Sequence, residues 1–142
     1  MNRKIIVIIM AVVFVMLVGS LLERGNDEAE SAAFHVTLAS PDLYNDGVYS
    51  KDLVLDGKYS FRFVPNGDSP RVLGISISGE TFDFSEDFEL VGTLHQTDIS
   101  EYHTWDYSGQ KEITVDARQA VSIKIDPNGN INGPVSVYII KN

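Results

Sequence analysis

The chain has 142 residues, a formal net charge of −9 and no cysteine. The missing thiols exclude disulfides, a cysteine nucleophile and lipid attachment through cysteine. Beyond Gly25 there are 19 acidic and 8 basic side chains, about −11 with neutral histidine, which argues against nucleic acid or anionic lipid headgroups as partners.

Residues 5–22 read IIVIIMAVVFVMLVGSLL, without a charge and apolar all round. As a helix this run is roughly 27 Å long, close to the hydrocarbon thickness of a bilayer. Arg3 and Lys4 precede it and Glu23, Arg24, Asp27, Glu28 and Glu30 follow, so the positive-inside rule puts residues 1–4 in the cytoplasm and the rest outside. The expectation is a single-pass cell-membrane protein with an uncleaved anchor over 5–22. The alternative is a secreted protein cut after the Val18-Gly19-Ser20 stretch. Leu21 and Leu22 carry the apolar run past that point, and the run exceeds the usual signal-peptide core. Residues 23–33 (ERGNDEAESAA) are polar and read as a linker.

Residues 34–142 then form one extracytoplasmic domain of ordinary size. Phe34, Val36 and Leu38 alternate with polar residues, the mark of a half-buried strand. His35 falls on the polar face and reads as exposed. Residues 48–55 make a second strand, and Asp56-Gly57 reads as a two-residue hairpin turn leading into a third at 58–64. There Tyr59, Phe61 and Phe63 face one way and Lys58, Ser60 and Arg62 the other. Residues 71–78 repeat the pattern with Leu73, Ile75 and Ile77 inward. Further strands are expected at 82–84, 88–94, 102–107, 111–115, 121–125 and 135–140, with the turn-rich DPNGNINGP before the last. No helix-period segment of useful length follows the anchor. About seven to nine short antiparallel strands imply an all-β sandwich or jelly roll. Its core is expected to hold Phe61, Phe63, Ile75, Ile77, Ile123, Val137 and Ile139.

The run KYSFRFVPNG, then SPRVLGISISG, then KEITVDARQAVSIKIDPNGN and GPVSVYII resembles the layout of GOLD-type and pre-peptidase C-terminal-type β-sandwich modules. The whole chain is similar to short, acidic, membrane-anchored envelope proteins of archaea. The resemblance implies a binding or accessory role, and it brings no catalytic motif or cofactor site to transfer.

Chemistry, if any, is expected in residues 80–106, which hold eight acidic residues, no Lys or Arg, five aromatics, and His95 and His103. One reading is a partner-binding surface through Glu86, Asp98, Glu101, Tyr102 and Trp105, since Tyr and Trp anchor interfaces. The plainer reading puts the aromatics in the core and the acids in water. Strict alternation around Asp83 favours the core for Phe82 and Phe84. Trp105 shares a strand face with His103 and Tyr107 and is expected inside. The part around 94–103 is expected to project from the domain. His95 and His103, with carboxylates between, offer a divalent-metal site. Their spacing fits no compact motif.

Asp126-x-Asn128-x-Asn130-x-Asn132 has the oxygen spacing of a calcium loop. Ile131 and Val137 stand where an EF-hand needs Gly and a bidentate Glu, so a long turn is the better reading. Glu86 and Asp87 are adjacent and point to opposite faces of a strand, unsuited to shared acid–base work. No nucleophile elbow and no phosphate-cradling loop is present. The reading is therefore a non-catalytic, cofactor-free binding or accessory module that meets a protein partner or membrane complex. A divalent-metal-binding envelope protein is the alternative. The sequence sets no oligomeric state.

Overall fold

The computed structural model describes Ala32–Asn142. The expected anchor over 5–22, the stub before it and most of the linker lie outside the described residues. Among those described, no helix is long and apolar enough to cross a membrane. Seven strands form: β1 (Ala32–Leu38), β2 (Tyr49–Pro65), β3 (Val72–Gly79), β4 (Asp83–Gln96), β5 (Glu101–Ser108), β6 (Glu112–Asp126) and β7 (Val135–Lys141). A short 3-10 turn at Pro41–Leu43 separates the first two. Ala32 and Ala33, expected in the linker, already belong to β1.

The antiparallel all-β class read from the sequence is what forms. The strands lie in one sheet of order β1-β7-β2-β6-β3-β4-β5. A jelly roll would divide them between two sheets; here a single sheet curls into a half-barrel. Its β5 edge returns over the concave face, and the Tyr107 ring meets that of Phe63 on β2 at 5.1 Å. The arrangement is sandwich-like because two limbs of one sheet enclose the core.

The curl follows from strand length and stagger. β2, β4 and β6 run 17, 14 and 15 residues, long enough for the intrinsic right-handed twist to accumulate. Each also changes partner along its length. β4 pairs β3 through Asp83–Glu89 and β5 through Glu89–Gln96. The expected strands therefore merge in pairs: 48–55 with 58–64, 82–84 with 88–94, and 111–115 with 121–125. Asp56-Gly57 runs on inside β2 opposite a bulge in β6, a correction to the expected hairpin. The ladder jumps from Leu55↔Gln119 to Gly57↔Val115, and Gly57 takes φ +104°. Tyr59 braces the dipeptide: its hydroxyl accepts the Asp56 N–H at 2.8 Å and donates to the Asp56 carbonyl at 3.1 Å. Asp-Gly supplies positive φ equally to a tight turn and to a strand irregularity, so the dipeptide alone does not distinguish them.

All seven expected core residues are buried. Phe61 stacks against Phe63 and Phe84 and tilts onto Phe88, with centroids 5.6–6.2 Å apart. Phe84 is buried and Phe82 packs against the core's margin. His35 is exposed and stacks on Tyr138 of β7 at 4.2 Å.

The turn between β2 and β3 is the hub for the far end of the molecule. Ser69 is buried there and its hydroxyl donates to the Pro134 carbonyl. The Asn130 amide donates to the Asp68 carbonyl, and Asn128 donates to the Val72 carbonyl at 2.9 Å. The Asn130 side-chain oxygen accepts the Gly133 N–H. The calcium-like spacing thus serves as a turn, with its Asn128 and Asn130 amides bonded to the chain itself.

Tyr107 at the end of β5 donates to the Pro70 carbonyl of the same turn at 2.6 Å. Burial holds its phenol above the ordinary value, and the nearby Tyr44 adds to the shift. A phenol whose folded pKa exceeds its unfolded one lends stability below about pH 10 and loses it as pH rises beyond. Tyr107→Phe leaves a buried carbonyl without its donor, and is expected to cost about 1–2 kcal/mol at neutral pH. The variant should also lose less stability than the parent between pH 9 and 11. Urea unfolding at pH 7 and across that range checks both; identical alkaline slopes would show that Tyr107 titrates as an ordinary tyrosine.

Candidate functional site: the β4–β5 arm

Hydrogen bonding to β3 stops at the middle of β4. The last connection is the Leu90 N–H to the Arg71 carbonyl at 2.8 Å. Beyond it, β4 and β5 pair only with each other, from Val91↔Asp106 to Gln96↔Glu101. They close in a turn where Thr97 N–H bonds the Ser100 carbonyl and the Thr97 hydroxyl accepts the Ser100 N–H. From 91 to 106 every residue is exposed except His95 and Trp105, which are half-buried. This is a two-stranded arm standing out from the curled sheet, and it includes the 94–103 stretch expected to project.

The register assigns its faces, since opposed residues share a face and successive residues alternate. One face carries on from the core: Leu90 and Tyr107, then Gly92 opposite Trp105, Leu94 opposite His103, and Gln96 opposite Glu101. The other carries Val91, Thr93, His95, Tyr102, Thr104 and Asp106. Seven large apolar or aromatic side chains are exposed in the described chain, and four of them are here: Val91, Leu94, Ile99 and Tyr102. Ile99 at the tip is 96% exposed. That concentration on a short arm singles it out from scattered surface apolar residues.

Trp105 is half-buried at the root of the arm, where full enclosure was expected. Its indole lies over Gly92 on the facing strand and over Gly67 in the β2–β3 turn. A Cβ at those positions would fall 2.6 Å and 3.1 Å from the ring. The absence of side chains at both glycines makes the seat. A glycine inside a strand pattern marks close approach of another group, and Gly92 is the one signal in the sequence that could have located it. His103 stacks on Trp105 at 5.7 Å.

Of the expected partner-binding residues, Asp98, Glu101 and Tyr102 lie on the exposed arm and Trp105 at its root. Glu86 does not join them. It shares the inward face of β4 with Phe84 and Phe88. Its carboxylate accepts the Gln110 N–H at 3.0 Å and the Asp87 N–H at 3.2 Å. Glu86 therefore ties the β5–β6 connection across the core opening. Lys111 in that connection pairs with Asp106 at 2.8 Å.

The two histidines are also not brought together. Tyr102 stands opposite His95, so His103, one residue on, emerges on the other face of the arm. His95 stacks on Tyr102 at 5.0 Å, and its Nε2 lies 2.8 Å from the Thr104 hydroxyl. Among the described residues, no group of three or more histidines and carboxylates lies close enough to hold a metal ion. A shallow groove on the convex face, over Gly74 and Ser76, is lined by Asp87, Asp126 and Lys124 and has no aromatic wall.

Comparison of the chain with protein-family models, with curated proteins and with solved structures gives no significant match.

Proposed function

We propose that this protein is a non-catalytic binding or accessory module that meets a protein partner through the β4–β5 arm. The observation that carries the reading is the arm itself: a paired strand extension that adds little to the core and gathers most of the exposed large apolar side chains. Tyr102 and Ile99 are suited to be anchors, and Asp98 and Glu101 form a charged rim that speeds encounter with a basic partner. The acidic surface makes nucleic acid a poor partner. The apolar run over 5–22 is proposed as the anchor that holds the domain outside the membrane, within reach of an envelope or membrane complex. The resemblance to sandwich-type accessory modules points to the same role.

Gentle solubilisation of native membranes and capture on the full chain tests this. The parent should bring down a defined partner that an Ile99→Ser/Tyr102→Ser variant loses. An Asp98→Asn/Glu101→Gln variant should weaken the association several-fold at low salt and little at high salt, because exposed charges are screened beyond about 8 Å at physiological ionic strength. Both variants should melt like the parent. Glu86→Gln is expected to behave differently, lowering the melting temperature without touching the partner. Retention of the same partner by the Ile99/Tyr102 variant would remove the arm from the binding surface.

A further inference from the structure

The edges of the arm carry a second property, set by hydrogen-bond parity. The Leu90 N–H is spent on Arg71, so Leu90 and Tyr107 face each other as a non-bonded pair of the antiparallel ladder. The Tyr107 N–H agrees, since its acceptor is the Asp106 side chain at 2.7 Å and not β4. Bonded and non-bonded pairs alternate. Asp106, Thr104 and Tyr102 therefore turn their backbone groups toward β4, while Trp105, His103 and Glu101 turn theirs outward. Among the described residues no strand pairs on that side, because β5 is the terminal strand of their sheet.

The other terminal strand, β1, is protected. Its ladder with β7 is broken by a register shift between Ala32 and Phe34, and such bulges blunt an edge. β5 has no such bulge, and among the described residues only its Tyr107 N–H is taken up, by the Asp106 side chain. Its ladder runs unbroken from Glu101 to Ser108, and its sequence EYHTWDYS contains neither Lys nor Pro. An added strand would lie along Trp105 and His103 on one face and Tyr102 on the other. The charge of the region limits what that strand can be. The arm itself, 91–106, carries Asp98, Glu101 and Asp106 and no Lys or Arg, so a second copy of it would bring like charges together.

Resting on the arm as the binding surface, we infer that β5 accepts an extended, lysine- or arginine-bearing segment of the partner protein as an additional antiparallel or parallel strand. The backbone groups of His103 and Trp105 make the ladder contacts. Apolar side chains of the segment lie along Trp105 and Tyr102, and its cations face Glu101 and Asp98.

The test uses the full chain in a neutral detergent and a decapeptide of alternating lysine and valine, with the glutamate-for-lysine peptide as control. The lysine peptide should slow amide exchange at His103 and Trp105, and its affinity should fall about tenfold between roughly 50 and 500 mM NaCl. The glutamate peptide should do neither. His103→Pro removes one outward N–H at a position where an edge strand tolerates proline. It should weaken the peptide about tenfold or more, whereas His103→Ala, which keeps the backbone donor, should stay within about threefold of the parent. Exchange on the unaltered chain decides the matter if the proline variant does not fold. Equal binding by the proline and alanine variants overturns strand addition while leaving partner binding by the arm intact. Protection of the same amides without peptide, accompanied by self-association in sedimentation, overturns it in favour of a second copy. Absence of peptide binding, together with native-partner capture that survives Ile99→Ser/Tyr102→Ser, overturns both this inference and the arm's role.

Discussion

Phe61→Ala is expected to lower the unfolding free energy of the domain by about 3–5 kcal/mol, the usual cost of removing an enclosed aromatic ring. Phe61 sits where the limbs of the curled sheet converge. Its ring meets Phe63 on its own strand and Phe84 and Phe88 on β4, and it is 4% exposed. These contacts join β2 to a strand three places away in the sheet order, so the substitution opens a cavity between limbs that no backbone ladder connects directly. Neighbours fixed on separate strands collapse poorly into such a gap. Typical domains have about 5–15 kcal/mol of stability, so the loss is a large part of the total. Denaturant unfolding of the two proteins measures it. Val64→Ala is the control, because Val64 is 52% exposed and on the opposite face; it should stay within about 0.5 kcal/mol of the parent. A Phe61→Ala domain as stable as the parent would mean that the limbs do not close on one another as described.

Gly92→Val is expected to unseat Trp105. A Cβ at Gly92 would stand 2.6 Å, 2.8 Å and 3.0 Å from three atoms of the indole. The ring must therefore leave its seat over Gly92, which exposes it further. Trp105 is the only tryptophan in the chain, so its emission should shift to the red. The overpacking is expected to cost about 1–3 kcal/mol, partly offset by the better strand propensity of valine. The loss should fall on the arm, with faster amide exchange across 91–106 and little change at Ile75 or Ile123. Unchanged emission with undiminished stability would show that the tryptophan–glycine contact does not hold the arm's root.

These two sites mark different depths of legibility. Phe61 could be assigned to the core from the sequence because side chains along a strand alternate with period two, and Tyr59-Ser60-Phe61-Arg62-Phe63 obeys that alternation without a break. Leu73, Ile75 and Ile77 follow for the same reason. The projection of 94–103 was expected from the acidic run over 80–106, although five of its eight acids precede 94 and lie in or beside the half of β4 that pairs with β3. Trp105 was less legible, because alternation gives a face and not a depth. The same face is core at Tyr107 and exposed at His103, and Trp105 falls between them.

What the chain determined by itself was local: which residues extend, which face of each strand is apolar, where the acids accumulate, and that no disulfide can staple the fold. Tertiary structure decided the rest. Asp56-Gly57 stayed within β2 because β6 pairs with β2 on both sides of the dipeptide and takes up the irregularity itself, a choice that the positive φ of Gly57 leaves open. Glu86 became a brace for the β5–β6 connection because the curl brings Gln110 over the inner face of β4. His95 and His103 were parted by register: a turn closing Thr97 on Ser100 sets Tyr102 opposite His95, and one residue further along a pleated strand is the other face. Each of these depends on which distant backbone lies alongside, and hydrogen-bond pairing between strands is set by the whole sheet and not by the residues of any one of them.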